Sequence, residues 1–327
     1  MKFETWIKTG ALIVALLYLS GCVKQSTSTI TFGGDIMLAR GGKPISSELE
    51  QVDLSLPKDM AVETSETNLY VANLESPLTE ESTILQNLAN PDMNLCAGVE
   101  LLNMLKDSGF DLMTINNNHK DDCTPDGIEQ TSHILNESGF GSFYNENGTW
   151  VSILPDRHLV FIAVDDVNHP VSEEQISSTI HAQKADGNFV VVSAHWGNEY
   201  QAGPDSRQET LAQGWVDAGA DVIWGHHPHV LQRMEWLTSK TDGHSALVLY
   251  SLGNLLSDQF MLPDTQRSAF YRVTVKNNSI QKVMVIPFMM DWTSNSLNYR
   301  LPENEREKIL ERLKVTPFGP IDVGVYP

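Results

Sequence analysis

Side chains able to bind a divalent metal recur in this chain of 327 residues at the ends of short apolar runs. Asp35 follows TITF (Thr29 to Phe32) and a pair of glycines. Glu75 follows NLYVANL (Asn68 to Leu74), and Asn118 and His119 close the polar run after Asp111 to Ile115. His195 follows the apolar run that starts at Phe189, and His227-Pro228-His229 follows Asp221 to Trp224. Five histidines (His119, His195, His226, His227, His229) fall in these motifs, half of the 10 in the chain, so chance placement is a poor account of them. Carboxylate, carboxamide and imidazole donors together suit a borderline divalent ion such as Mn²⁺, Fe²⁺ or Zn²⁺. One ion, or two sharing a carboxylate, can activate water and polarise a scissile group. Arg40, Arg207 and Arg233 are candidates for holding an anionic substrate.

The elements that must position these groups read as strands feeding helices. Two buried-type strands, Phe189 to Val192 and Asp221 to Trp224, flank a helix over Ser206 to Ala218. Leu211, Trp215 and Val216 share its apolar face, and Gly219 stops it. In open α/β sheets a ligand site lies beyond the carboxyl ends of the strands, where the histidines fall. Gly33-Gly34 suggests a sharp turn before Asp35. Residues 44–68 read as a loop with one helix. Further helices are expected over 100–108, 125–138, 171–184 and 303–314, and strands over 111–115, 158–164 and 245–252. Asp165 and Asp166 end one strand without an assigned role. Phe270 to Val275 and Lys282 to Pro287 read as an antiparallel pair turning at Asn277-Asn278, and the last residues read as a tail. No repeat or long linker appears, so a single α/β domain is expected.

The first 21 residues are set apart from the fold. Lys2 and Lys8 precede an apolar run, GALIVALLY, too short to span a bilayer, and LSGC closes it. This ending resembles a bacterial lipobox and implies cleavage before Cys22 and lipid on its thiol; a plain signal peptide or an uncleaved anchor is the alternative. A polar tether over 22–29 follows. The formal net charge is −20, and loss of Lys2, Lys8 and Glu4 takes away +1. Such a surface repels nucleic acid, which is not an expected partner. With Cys22 lipidated, Cys96 and Cys123 remain; a disulfide between them is expected for an exported chain, the alternative being two buried thiols.

The order Gly-Asp, Asn-Leu-Glu, Asn-Asn-His, HWGNEY (195–200), DAGADVIWGHHPHV (217–230) and YSLGN (250–254) resembles the bacterial capsule-synthesis CapA (poly-γ-glutamate synthesis) family of the calcineurin-like metallophosphoesterases. The resemblance covers roughly Ile30 to Pro287. It implies a four-layer αββα sandwich over 30–290, with 291–327 adding a C-terminal helix and tail. It also implies Asp35, Glu75, Asn118, His195, His227 and His229 as metal ligands, and His119 as the residue that contacts the substrate or protonates the leaving group. His226 lies at a variable family position and is read as a neighbour of the metal. Met37 stands where the superfamily has a histidine, and Glu75 where it has an aspartate, which weakens the first metal position. The implied function is an envelope-anchored, extracytoplasmic, metal-dependent hydrolase of a capsule polymer or phosphoester. Its partners would be poly-γ-glutamate or another capsule, capsule synthase subunits, and the membrane through the lipid anchor. A non-catalytic assembly or polymer-binding factor on the same fold is the alternative.

Overall fold

The computed structural model describes residues 27–57, 67–144, 159–168, 170–315 and 321–326. The expected signal segment and Cys22 lie outside these residues. The fold is α/β with two main sheets. The larger has nine strands. Its path runs Ser296–Asn298, Ser279–Asp291, Arg267–Lys276, Thr27–Ile36, Thr67–Leu74, Leu112–Thr114 and Gly141–Phe143. Asn254–Leu256 joins it beside Thr27–Ile36, and Asp322–Val325 beside Ser279–Asp291. The smaller sheet has five strands in the order Met234–Thr238, Ser245–Leu249, Val222–His226, Phe189–His195 and Leu159–Asp165. In both sheets the strands that lead to the chemistry run parallel.

The two-residue period of a strand decides which side chains meet. One apolar cluster joins residues of both sheets, with Ile30, Phe32 and Val71 from the larger and Phe161, Val191 and Trp224 from the smaller. The alternate residues Val190, Val192 and Ile223 pack with Ile176, Ile180, Leu211, Trp215 and Val216 of the helices Glu173–Ala185 and Ser206–Ala218. On the larger sheet, Ala72 and Met113 pack with Leu101, Leu105, Ile128 and Leu135. Strands covered on both faces read as unbroken apolar runs, which is why VVV and VIW carry no polar alternation. Full burial of each such side chain stabilises by roughly 1.5–3 kcal/mol. The Trp224 indole N–H also donates to the Gly33 carbonyl at 2.9 Å, linking the sheets next to the site.

Local signals explain the helix boundaries. Asp205 caps the Ser206–Ala218 helix through a capping box with Gln208, and Gly219, at φ 114°, ends it. Asn277 and Asn278 both take positive φ in the hairpin, as a tight two-residue turn demands. Several expectations are corrected. Gly33 and Gly34 make no turn; they lie inside the strand, where a Cβ on Gly34 would stand 2.0 Å from the Gly253 carbonyl oxygen. They serve close backbone approach. Thr27 to Thr29 are not tether but the start of the first strand, paired with Thr274 to Lys276 on one side and, from Ser28 on, with Thr67 and Asn68 on the other. The helix expected over 100–108 divides into a 3₁₀ turn, Val99–Leu102, and a short α-helix, Asn103–Asp107. The C-terminal tail supplies the strand Asp322–Val325, whose register against Lys282 to Val285 extends the larger sheet.

Candidate metal centre

Each sequence-derived ligand lies at or just past a strand's C-terminal end. Asp35 closes Thr27–Ile36, Glu75 follows Thr67–Leu74, and Asn118 follows Leu112–Thr114. His195 ends Phe189–His195, while His227 and His229 follow Val222–His226. The first three come from the larger sheet and the others from the smaller, so the centre forms only where the two sheets meet. Asp35 and Glu75 are fully buried, and His195, His227 and His229 nearly so.

The contacts bind these groups into one cluster. The Asp35 carboxylate lies 3.0 Å from His226 Nδ1 and 3.3 Å from His229 Nδ1. It accepts from the Asn73 amide at 2.8 Å and from the His227 backbone N–H at 3.2 Å. His195 Nε2 lies 2.7 Å from Asn118 Oδ1 and 3.5 Å from Glu75 Oε1. His229 Nδ1 also lies 3.1 Å from Asn254 Oδ1. The His-Pro-His loop is held against its preference, with His227 at φ 91° and His229 at φ 58°. Positive φ in non-glycine residues costs of order 1–3 kcal/mol and gathers at functional sites.

Burial and charge set the protonation pattern. Burial pushes the Glu75 carboxyl well above its ordinary range, against the pull of His229. For Asp35 burial acts the same way, but hydrogen bonds from His226 and His229 prevail and hold it well below. Burial and the neighbouring imidazoles push His195 down, and take His227 down to about 4. Burial also opposes charge on His229, yet Glu75 and Asp35 outweigh it and raise it to about 9.

Orphaned polar atoms test whether a cation fits. Both Glu75 carboxylate oxygens, His195 Nδ1, His226 Nε2 and His227 Nδ1 are buried without a hydrogen-bond partner. Buried acceptors of this kind cost about 1–3 kcal/mol each when unmet, more for charged groups. A divalent ion held by Glu75 and the imidazoles beside it offsets part of that cost, and the donor set is one that Mn²⁺, Fe²⁺ and Zn²⁺ accept. Two groups place one ligand atom per residue within 4.8 Å of one another: Asp35 with Glu75 and His195, and Glu199 with His227 and His229. The buried groups could therefore hold a metal ion.

Comparison with known proteins decides the family. A family model described as bacterial capsule synthesis protein PGA_cap matches residues 29–259. The chain belongs to the PGA_cap family. It is 31% identical over 283 residues to the capsule biosynthesis protein CapA of Bacillus anthracis, a match covering 79% of this chain and 66% of the relative. It is 30% identical over 278 residues to the PGA biosynthesis protein CapA of Bacillus subtilis (strain 168), covering 79% and 70% respectively. The chain thus spans about two thirds of the length of these relatives. A probable polyglutamine synthesis accessory protein of Mycobacterium tuberculosis is 26% identical over 103 residues, 32% of this chain and 25% of that one.

In this PGA_cap chain His119 stands beside the cluster, with its Nδ1 2.9 Å from Asp122 Oδ2. Asp122 is fixed in turn. Its carboxylate accepts from the Leu95 N–H at 2.7 Å and its carbonyl from the Asn94 amide at 2.7 Å. The adjacent Cys123 is disulfide-bonded to Cys96. Each of the three candidate arginines has a carboxylate partner. Arg40 forks onto Asp258, with Nε at 2.6 Å and Nη2 at 2.8 Å, and its third nitrogen donates to the Asp92 carbonyl. It braces the rim beside the cluster instead of presenting an open guanidinium. Its Nη2 also lies 3.8 Å from the sulfur of the buried Met37. Arg207 is spent on Asp166, and Arg233 on Glu209 and Glu235. Asp166, unassigned in the sequence, is thereby a structural partner, as is Asp165 for Lys120. Sequence reasoning passed over Asn73, Glu199, Asn254 and Asp258. The first three lie inside NLE, HWGNEY and YSLGN, motifs that carry the family resemblance; Asp258 lies outside any such motif.

Proposed function

We propose that this chain is an envelope-anchored protein of capsule or poly-γ-glutamate biosynthesis whose metal centre hydrolyses a bond in an envelope polymer or phosphoester. The observation that carries the reading is Glu75, fully buried with neither oxygen hydrogen-bonded, converging with Asp35 and His195 so that one ligand atom of each lies within 4.8 Å of the others. A divalent cation is one partner that answers the carboxylates and the imidazole together. The names of the Bacillus relatives support the capsule and PGA context. The two packed sheets with helices outside support the four-layer αββα metallophosphoesterase arrangement. The lipobox-like LSGC supports anchoring at Cys22 and an extracytoplasmic place.

Asp35, Glu75, Asn118, His195, His227 and His229 would hold one or two ions of Mn²⁺, Fe²⁺ or Zn²⁺. Such an ion supplies Lewis acidity and a bound water of lowered pKa. The chain's own residues do the rest. Asn73 and His226 orient the Asp35 carboxylate, and Asn254 orients the His229 ring. Asp122 engages His119 Nδ1, which leaves Nε2 to exchange a proton with the leaving group.

One observation favours the alternative, a non-catalytic assembly factor. Met37, where the superfamily has a metal-binding histidine, is buried and offers only a thioether, a poor ligand for a borderline metal. Metal analysis of the wild type, beside assays on phosphoesters and γ-glutamyl polymers, separates the two. Bound metal with turnover lost in His227→Ala and His119→Ala supports the hydrolase. Bound metal without turnover on any substrate supports the assembly factor, and absence of metal at saturating supply refutes the metal centre.

A further inference from the structure

The geometry points to Glu199 as a ligand of a second cation position, shared with His227 and His229. This inference rests on the metal-centre reading and deepens it, because no residue on the loop after His195 has a role in that ligand set.

The placement begins with the backbone. After His195 the chain turns at Gly197, φ 80°, where a Cβ would strike the Gln208 side chain at 2.6 Å. The Tyr200 N–H then donates to the Pro228 carbonyl at 2.8 Å, which fastens residues 199–200 beside the His-Pro-His loop. Tyr200 is held at φ 61°, and its ring centre stands 6.1 Å from that of His229. Behind it, the buried Gln232 amide donates to the Gln201 and Gly203 carbonyls at 3.0 Å each and is itself braced by Gln208. The loop is thus clamped from two sides, with Glu199 as its carboxylate nearest the histidines.

Three ligand atoms, one each from Glu199, His227 and His229, lie within 4.8 Å of one another. Independently, His227 Nδ1 is buried without a partner, in a residue only 6% exposed. A half-buried carboxylate and two buried imidazoles form a donor set for a borderline ion. This group adjoins the one formed by Asp35, Glu75 and His195, since His229 Nδ1 lies 3.3 Å from Asp35 and 3.9 Å from Glu75, and Glu199 adds to it an oxygen ligand from a third segment of the chain.

The test is Mn²⁺ and, separately, Zn²⁺ titration of the detergent-solubilised full chain by calorimetry, with electron paramagnetic resonance of the Mn²⁺ form. Glu199→Gln keeps the size and removes the charge, and the half-exposed position makes it compatible with folding; circular dichroism verifies this. One ion bound by the wild type is expected to weaken at least about 100-fold in Glu199→Gln, beyond the 10–100-fold of an outer-shell loss. Glu199→Asp recovers part of it. Retention of every ion within about threefold overturns the assignment while leaving the metal centre intact. A wild type that binds neither metal removes the centre and this assignment with it.

Discussion

The disulfide offers a prediction that joins stability to the site. Cys96 and Cys123 are 27 residues apart in sequence, with Cα atoms 4.9 Å apart. Chain-entropy bookkeeping for a closed loop of that size gives about 3.5 kcal/mol at room temperature. For a domain of this length that is a fall in Tm of about 5 °C. The same clasp has a local effect. Segment 94–96 meets Asp122 through the Leu95 N–H and the Asn94 amide, and Asp122 holds His119 Nδ1. Replacing both cysteines by serine therefore loosens the loop that orients His119 without touching a metal ligand. The expected result for Cys96→Ser/Cys123→Ser is a Tm lower by about 5 °C, metal content unchanged, and turnover, where measurable, reduced about tenfold or less, because two hydrogen bonds still bind the loop. Differential scanning calorimetry and metal analysis read the first two quantities. A Tm within 1 °C of the wild type, in both the variant and the reduced wild type, would refute the reasoning, as would loss of metal from a correctly folded variant.

His227→Ala should remove bound metal, read by elemental analysis, whereas His119→Ala should keep metal and lower turnover by ~10²–10⁴-fold. Metal affinity should depend on pH through His229, which the metal-free protein holds protonated to about 9. Binding must displace that proton, so apparent affinity should rise about tenfold per pH unit as pH approaches 9, in calorimetry at several pH values. The sign for metal-free stability is opposite. The raised His229 pKa contributes stability that is complete below its unfolded value of 6.5 and is lost as pH rises through about 9. Gly34→Ala should give little or no folded protein, since its Cβ would lie 2.0 Å from the Gly253 carbonyl oxygen; soluble yield and Tm read this.

Strand and helix placement was largely legible because burial on both faces leaves a plain mark. The runs at Phe189, Asp221 and Leu159 are neighbouring parallel strands, and the Ser206–Ala218 helix shows its apolar face in Leu211, Trp215 and Val216 and its stop in Gly219. The ligand types were legible too, since carboxylate, amide and imidazole at strand ends are local facts. What the sequence withheld were relations between distant segments. Gly34 reads as a turn residue until Gly253, on another strand, is found against it. The tail reads as loose until its register with Lys282 to Val285 appears. Arg40 reads as open for substrate until Asp258, 218 residues away, accepts its fork. Glu199 reads as a loop carboxylate until the Tyr200 N–H reaches Pro228. Composition and periodicity report how each residue meets its own element. Pairing of charges, close backbone approach and convergence of ligands depend on three-dimensional proximity, which only the packing of the two sheets decides.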